Sequence, residues 1–347
     1  MNQPMTVVEI CAGGGGQVIG LERAGFHHVA VADNDPSACA TLRQNLPSAE
    51  VLEMDIHCLD GKRFRGVDLL AGGVPCPPFS IAGKQLGAED ERDLFPVALR
   101  LIQEAAPKAV LLENVKGLAA KRFQPYLNQI IVCLKNLGYR VFWRIINAQN
   151  YGVPQLRPRF VLVALSDPAA GFFYWPEPAP FEQTVAEAIG DLVGACGWPG
   201  LESWKSRARS IAPTIVGGSK KHGGPDLGPT RARKQWSEMG IDGLGIANHP
   251  PPADWPTDRP FKLTLKMTAR IQGFPDEWSF AGNKTSIYRQ IGNAFPPPVA
   301  EAVGGSIRAA LSFESRSAGL HYPQRDLIHN ADVIVVREGK KRVIHSE

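Results

Sequence analysis

Thr6-Val7-Val8-Glu9-Ile10-Cys11 runs without a break into Ala12-Gly13-Gly14-Gly15-Gly16, and a helical stretch, Val18–Ala24, follows. A short apolar run, then glycines, then helical spacing reads as strand, tight turn and helix. Glycines at such a turn let a ligand approach the backbone, and the start of a helix favours negative charge. A strict dinucleotide fingerprint is absent. Counted from Gly13 and Gly15 its third glycine falls on Val18, and counted from Gly14 and Gly16 it falls on Ile19. A nicotinamide enzyme is therefore disfavoured. The next apolar run ends in Asp33-Asn34-Asp35, at the distance where a carboxylate can bond ribose hydroxyls. These residues point to a nucleoside-containing cofactor; a flexible loop beside a solvated turn is the alternative.

Outward from this unit the alternation continues. Apolar runs at His28–Ala32, Val67–Ala71, Ala109–Leu112, Val141–Ile146 and Phe160–Leu165 are separated by helical stretches such as Pro36–Asn45 and Leu94–Ala105. The pattern predicts an α/β fold with a mostly parallel sheet wrapped by helices. Ala169–Phe181, with Pro176, Pro178 and Pro180, reads as a linker. Residues 182–265 show little periodicity and predict a smaller, irregular domain. Regular pattern returns at Leu265. In Pro298–Ser312, Val299, Val303, Ile307 and Leu311 recur every fourth residue, which predicts an amphipathic helix packed back on the first domain. Asp332–His345 reads as two strands about a turn at Glu338–Gly339. The expected divisions are 1–170, 171–265, 266–315 and 316–347.

The chain has 347 residues, room for about two domains. At 44% hydrophobic and 21% charged residues it is globular in composition. Its 35 glycines and 29 prolines sit in short clusters without a repeat, so they mark loops. No apolar run approaches the ~20 residues of a membrane span. No basic-then-apolar stretch opens the N-terminus, so a cytoplasmic protein is expected. The net charge of +4 is unevenly spread. Eight Lys and Arg residues and one Asp give Ser203–Trp236 a local charge of +7. Within it, Gly217–Gly224 carries Lys220 and Lys221 on a glycine-rich loop suited to phosphates or a groove. A solvated charge run is the alternative.

Six cysteines stand at 11, 39, 58, 76, 133 and 196, with no C-x-x-C pair. No zinc site is expected, and no other metal. Cys76 alone has a distinctive setting, Gly72-Gly73-Val74-Pro75-Cys76-Pro77-Pro78-Phe79-Ser80, after an apolar run. Three prolines stiffen the backbone around a thiol at the edge where open α/β sheets bind ligands. That suits a nucleophile; a buried structural thiol is the alternative. Glu113 follows another strand at the same edge, where burial would make it a proton donor to a ring nitrogen. A capping or solvated glutamate is the alternative. Gln155, Arg157 and Arg159 share a face at period two. They would hold a base carbonyl or a phosphate, unless they form a surface ion-pair strand.

Taken in order, these motifs resemble the DNA (cytosine-5) methyltransferases of bacterial restriction-modification type. The order runs from the glycine loop through Asp33-Asn34-Asp35, Asp55-Ile56, Pro75-Cys76, Glu113-Asn114-Val115 and Gln155…Arg157…Arg159. After the long insert come Arg270-Ile271-Gln272-Gly273-Phe274-Pro275 and Gln290-Ile291-Gly292-Asn293-Ala294. The resemblance implies a Rossmann-like domain that binds S-adenosylmethionine, a smaller target-recognition domain, and DNA between them. It places the cofactor loop on Cys11, Ala12, Gly13, Gly14 and Gly16. It puts the ribose acid at Asp35 with Pro36 beside it, and adenine contacts at Asp55 and Ile56. Pro75, Leu94, Asn293 and Ala294 complete that site.

The same resemblance implies that Cys76 attacks cytosine C6, Glu113 protonates N3, and Arg159 holds O2 with Arg157 in support. The target base is flipped out, and Ser80–Asp90 closes over it. Ser80, Lys220, Lys221, Arg231 and Arg233 are expected to contact duplex DNA. Cys11 stands where the family usually has Phe, and Pro77 where it usually has Gln. A monomer is expected, partnered by an endonuclease that cuts the same site. A tRNA cytosine-5 methyltransferase and a non-enzymatic DNA-binding relative are the competing readings.

Overall fold

The computed structural model describes residues 4–75, 93–180, 182–218 and 224–313. Seven strands form one sheet: β1 (Met5–Ile10), β2 (Phe26–Asp33), β3 (Glu50–Glu53), β4 (Leu69–Gly72), β5 (Ala109–Val115), β6 (Tyr139–Asn147) and β7 (Pro158–Ser166). Their order across the sheet is β3-β2-β1-β4-β5-β7-β6. β1 to β5 pair in parallel, and β7 runs antiparallel to both β5 and β6. The expected mostly parallel sheet thus has one reversed strand. β3 is an addition to the sequence reading: two exposed glutamates flank two half-buried residues at the sheet edge, which offers no apolar run to detect.

Successive strand residues feed opposite faces, as the pleat requires. Leu69, Leu111 and Val163 pack with helices α1 (Gly16–Arg23) and α10 (Pro297–Leu311). Leu70, Leu112 and Leu162 pack instead with α3 (Phe95–Ala105) and α4 (Gln124–Asn136). Because both faces are covered, the central strands are apolar throughout. α2 (Pro36–Asn45) starts where local signals put it: the Asp35 carboxylate accepts from the Ser37 N–H at 2.9 Å, and Pro36 takes the first turn. In α10, Val299, Val303, Ile307 and Leu311 are buried against the first core, as their spacing predicts. The crossing with α1 is close. A Cβ on Gly20 would fall 2.5 Å from the Pro297 carbonyl oxygen.

Two expectations change. Ala169, Ala170 and Phe173 belong to the sheet's core, so this part of the expected linker is packed rather than loose. The insert, expected to be irregular, holds three short helices among its described residues: α5 (Val185–Gly194), α6 (Leu201–Arg207) and α7 (Thr230–Glu238). Seven to ten residues show too few turns for a periodic signature. α5 begins with a capping box between Thr184 and Glu187. The helices surround Trp198, Trp204, Trp236 and Phe261, with both Trp198 and Trp204 meeting the Phe261 ring edge-on at 5.5 Å. Met267, Ile271 and Tyr288, from α8 (Leu265–Ile271) and α9 (Lys284–Asn293), share this core. Met1–Glu314 makes one compact unit; the other, Ser315–Glu347, lies outside the described residues, and so does the pair of strands read there. Among the described residues no helix is long and apolar enough to cross a membrane.

Candidate active site

The carboxyl ends of the parallel strands open on a cleft of about 540 Å³. The chain leaves β1 through three left-handed residues: Cys11 at φ 53°, Gly13 at 55° and Gly15 at 84°. Asp33, at the end of β2, latches this turn. One carboxylate oxygen accepts from the Gly13 N–H and the other from the Asp35 N–H, both at 2.8 Å. A Cβ on Gly16 would strike the Phe295 carbonyl, so the loop lies directly on the chain that returns after the insert. Cys11, Ala12, Gly13, Gly14 and Gly16 all line the cleft. Burial, then the nearby Asp33 and Asp55 carboxylates, push the Cys11 thiol up, so it stays neutral.

Asp35 and Asp55 stand at the ends of the next two strands and also line the cleft, with Ile56 beside them. Besides capping α2, Asp35 takes the Arg289 guanidinium from α9 at 2.8 Å. Asp55 accepts from the backbone N–H of His57 and lies 2.7 Å from its Nδ1, which together hold it below the usual carboxylate range. Pro75, Leu94, Asn293 and Ala294 complete the wall. Of the expected cofactor residues only Pro36 stays out of the lining; its ring starts α2 and shapes the site only through that helix.

At the other side of the cleft, β5 and β7 lie antiparallel, with Val115 opposite Arg159 and Glu113 opposite Val161. Glu113 and Arg159 thereby meet, Oε1 to Nε at 2.8 Å, with about a tenth of each side chain exposed. Burial pushes the Glu113 carboxyl up; the Arg159 and Arg157 charges pull the other way, and burial prevails. Asn114 donates to the Val74 carbonyl at 2.7 Å and ties the end of β5 to the turn that leads to Pro75.

Arg157, expected to support Arg159, does not itself line the cleft. Its fully buried guanidinium donates to the carbonyls of Ile215 (2.7 Å), Gly292 (2.7 Å) and Ala294 (2.8 Å). Gln155 accepts from the Ile215 N–H and donates to Gln272, which in turn donates to Ala294. This hub joins the strand that carries Arg159, the insert and the return segment. These partners lie 58 to 137 residues from Arg157, and no sequence period reports them. Arg157→Met takes the guanidinium from the Ile215 and Gly292 carbonyls and leaves that of Ala294 with Gln272 alone. The unfolding free energy should fall by about 3 kcal/mol, read as a lower denaturant midpoint at unchanged slope; a midpoint equal to wild type would mean that the hub carries no weight.

Cys76, Ser80, Lys220 and Lys221 lie outside the described residues. Arg231 and Arg233 begin α7, the first exposed and the second half-buried, and neither lines the cleft. The sequence reading gave no role to Glu9, Gln17, Thr214, Val216 and Arg289, which do line it. A charged residue inside an otherwise apolar strand was the available signal for Glu9. Among the described residues no group of three or more His, Cys, Asp or Glu is arranged to hold a metal ion.

A profile of the C-5 cytosine-specific DNA methylase family matches residues 5–309. The chain is 56% identical over 317 residues to the type II methyltransferase M.NaeI of Lentzea aerocolonigenes, covering 90% of this chain and 76% of that one. It is 51% identical over 314 residues to M.NgoMIV of Neisseria gonorrhoeae, covering 89% and 99%. Among solved structures, the Entamoeba histolytica methyltransferase EhMeth aligns with a TM-score of 0.64 at 16% identity, over 89% of this chain and 99% of that one. That last likeness is one of fold.

Proposed function

The chain belongs to the C-5 cytosine-specific DNA methylase family and is a DNA cytosine-5 methyltransferase of the type II kind; from that premise we propose that it moves the methyl group of S-adenosylmethionine to C5 of a flipped-out cytosine in a specific duplex sequence, through a covalent bond between Cys76 and C6. One observation carries the reading: a single cleft presents Asp35 and Asp55 beyond β2 and β3, and the Glu113–Arg159 pair on β5 and β7. Its volume suits a cofactor of this size. Asp35 would take the ribose hydroxyls, Asp55 and Ile56 the adenine, and the glycine loop the chain between. Orphaned buried polar atoms in the same cleft fit a zwitterionic ligand.

Cytosine C5 is a poor nucleophile. Addition of the Cys76 thiolate to C6 breaks the ring's aromaticity and makes C5 enamine-like. Glu113, whose carboxyl burial pushes up, gives a proton to N3 as charge develops there. Arg159 holds O2 and keeps Glu113 in place. Bound S-adenosylmethionine supplies an electrophilic methyl on a sulfonium sulfur. A base such as water then takes H5, and Cys76 leaves as thiolate. The ring is out of reach inside a duplex, which is why the base must flip.

Residues 171–265 are assigned to target recognition, with Lys220, Lys221, Arg231 and Arg233 on the DNA and Ser80 beside the flipped base. The protein would act as a monomer alongside an endonuclease cutting the same site. Purified protein with radiolabelled cofactor, offered duplex DNA or tRNA, tests the reading. Label should enter duplex DNA, and sequencing of DNA from an expressing host should find methylcytosine at one recurring sequence. Label in tRNA alone would make the substrate RNA, and label in neither would leave a DNA-binding relative.

A further inference from the structure

From Asn114 to Ser166 the chain carries eight Lys and Arg residues and no Asp or Glu. The whole chain has 34 acids in 347 residues, which would put about five in a stretch of that length. The sheet sorts these cations by place. β5 and β6 both run antiparallel to β7, so they point the same way. α4, which joins them, therefore starts at the cleft's end of the sheet and finishes at the other. Lys135, in the last turn of α4, and Arg140, paired with Asp167, stand at that far end. Arg159 is answered by Glu113, and Arg157 by main-chain carbonyls. Lys116 and Lys121 remain at the cleft's end, with Arg122 beside them over the Phe123 ring at 4.6 Å. Both lysines are exposed, and neither side chain has an ion-pair or hydrogen-bond partner among the described residues.

Val115 lines the cleft and is 52% exposed, an apolar side chain left half in water at the mouth. Lys116 follows it, three residues after Glu113, a span of at most about 11 Å. Two short 3₁₀ turns, Lys116–Ala119 and Lys121–Phe123, carry the lysines. Leu118 between them is fully buried in the core under α3 and α4. The Ala120 N–H donates to the Gly117 carbonyl at 3.0 Å, and the Phe123 N–H to the Ala120 carbonyl at 2.8 Å. The lysines thus stand on a fixed corner. A base whose N3 meets Glu113 has its sugar at the cleft's mouth, with a phosphate on either side of that sugar. We propose that Lys116 and Lys121 bind backbone phosphates of the duplex beside the flipped nucleotide, a grip that belongs to the catalytic domain and is separate from the insert. A carboxylate at this corner would repel those phosphates, which suits the absence of acids there. Contacts of this kind fix position on the duplex and read no sequence.

The inference rests on duplex DNA being the substrate, and the test separates the two. The full chain, with S-adenosylhomocysteine present, is titrated into a short fluorescein-labelled duplex of arbitrary sequence at several salt concentrations, with anisotropy as the readout. Each lost phosphate contact takes about 0.9 from the slope of log K against log salt, so Lys116→Gln with Lys121→Gln should flatten that slope by about 1.8. At about 0.1 M salt the dissociation constant should rise tenfold or more. Arginine at both positions keeps the charge and should keep the wild-type slope. Lys135→Gln makes the same kind of charge change about 20 Å away along α4, beyond the screening length, and should leave the slope as it is. The sequences methylated in an expressing host should not change in the glutamine variant, and its affinity for S-adenosylhomocysteine should hold. An unchanged slope in the folded glutamine variant, or equal flattening per charge by Lys135→Gln, would overturn the proposal. Wild-type protein that binds no duplex would sink the DNA reading, and this proposal with it.

Discussion

Replacing Cys76 by serine is expected to lower methyl transfer by roughly 10⁴-fold or more and to abolish covalent capture of DNA. If the Cys76 sulfur adds to C6, every turnover passes through a protein–DNA bond, and release requires loss of H5 after the methyl arrives. Fluorine at C5 cannot leave as a cation. A duplex with 5-fluorocytosine at the target should therefore trap wild-type protein, in the presence of cofactor, as a species that survives boiling in detergent. A serine hydroxyl is a far weaker nucleophile near neutral pH, so Cys76→Ser should form none. The other cysteines should be dispensable for trapping in any folded variant. Burial keeps Cys11 neutral and pushes the Cys39 thiol up to about 11, with the Asp33 charge adding to it; Cys58, Cys133 and Cys196 are exposed. A stable adduct with Cys76→Ser, or none with wild type on DNA that it methylates, would overturn the assignment.

The second large effect belongs to Glu113. Glu113→Gln keeps the shape and removes the proton, and trapping should slow by about 10²–10³-fold. The pH dependence carries more information than the rate. Burial raises the Glu113 carboxyl above its ordinary value, so the donor is fully present below that ordinary value and is lost as pH rises through the raised one. Thiolate formation at Cys76 has the opposite sense and improves with rising pH. Wild-type trapping should therefore rise and then fall with pH, and the falling limb should vanish in Glu113→Gln. A variant profile parallel to that of the wild type would mean that the proton at N3 comes from elsewhere.

How far the sequence spoke for this structure depended on the distance over which each feature is encoded. The bounds of α2 are legible because Asp35 and Pro36 are local signals. The central strands are legible because burial on both faces leaves unbroken apolar runs; β3, exposed and at the edge, leaves none. Glu113 and Arg159 are both visible as candidates, but their meeting depends on β7 folding back antiparallel beside β5, which no local pattern dictates. Gln17 reads as one more polar residue near a glycine loop until its burial is known. Arg157 shows the converse. Its spacing from Arg159 predicted a shared face, yet Arg157 stands just before β7 and its guanidinium serves main-chain carbonyls far along the chain.

The grip of the Gln155–Arg157–Gln272 cluster on the insert falls on main chain alone: the N–H and the carbonyl of Ile215. Just before it, the Ala212 N–H and carbonyl pair with Pro154 and Leu156. A socket that holds peptide groups is blind to side chains. Side chains on the insert can therefore change without touching these main-chain groups, wherever the change spares the buried Ile215, Gly217 against Arg289, and the tryptophan core. Drift at exposed positions of the insert is thereby kept apart from the contact between Glu113 and Arg159.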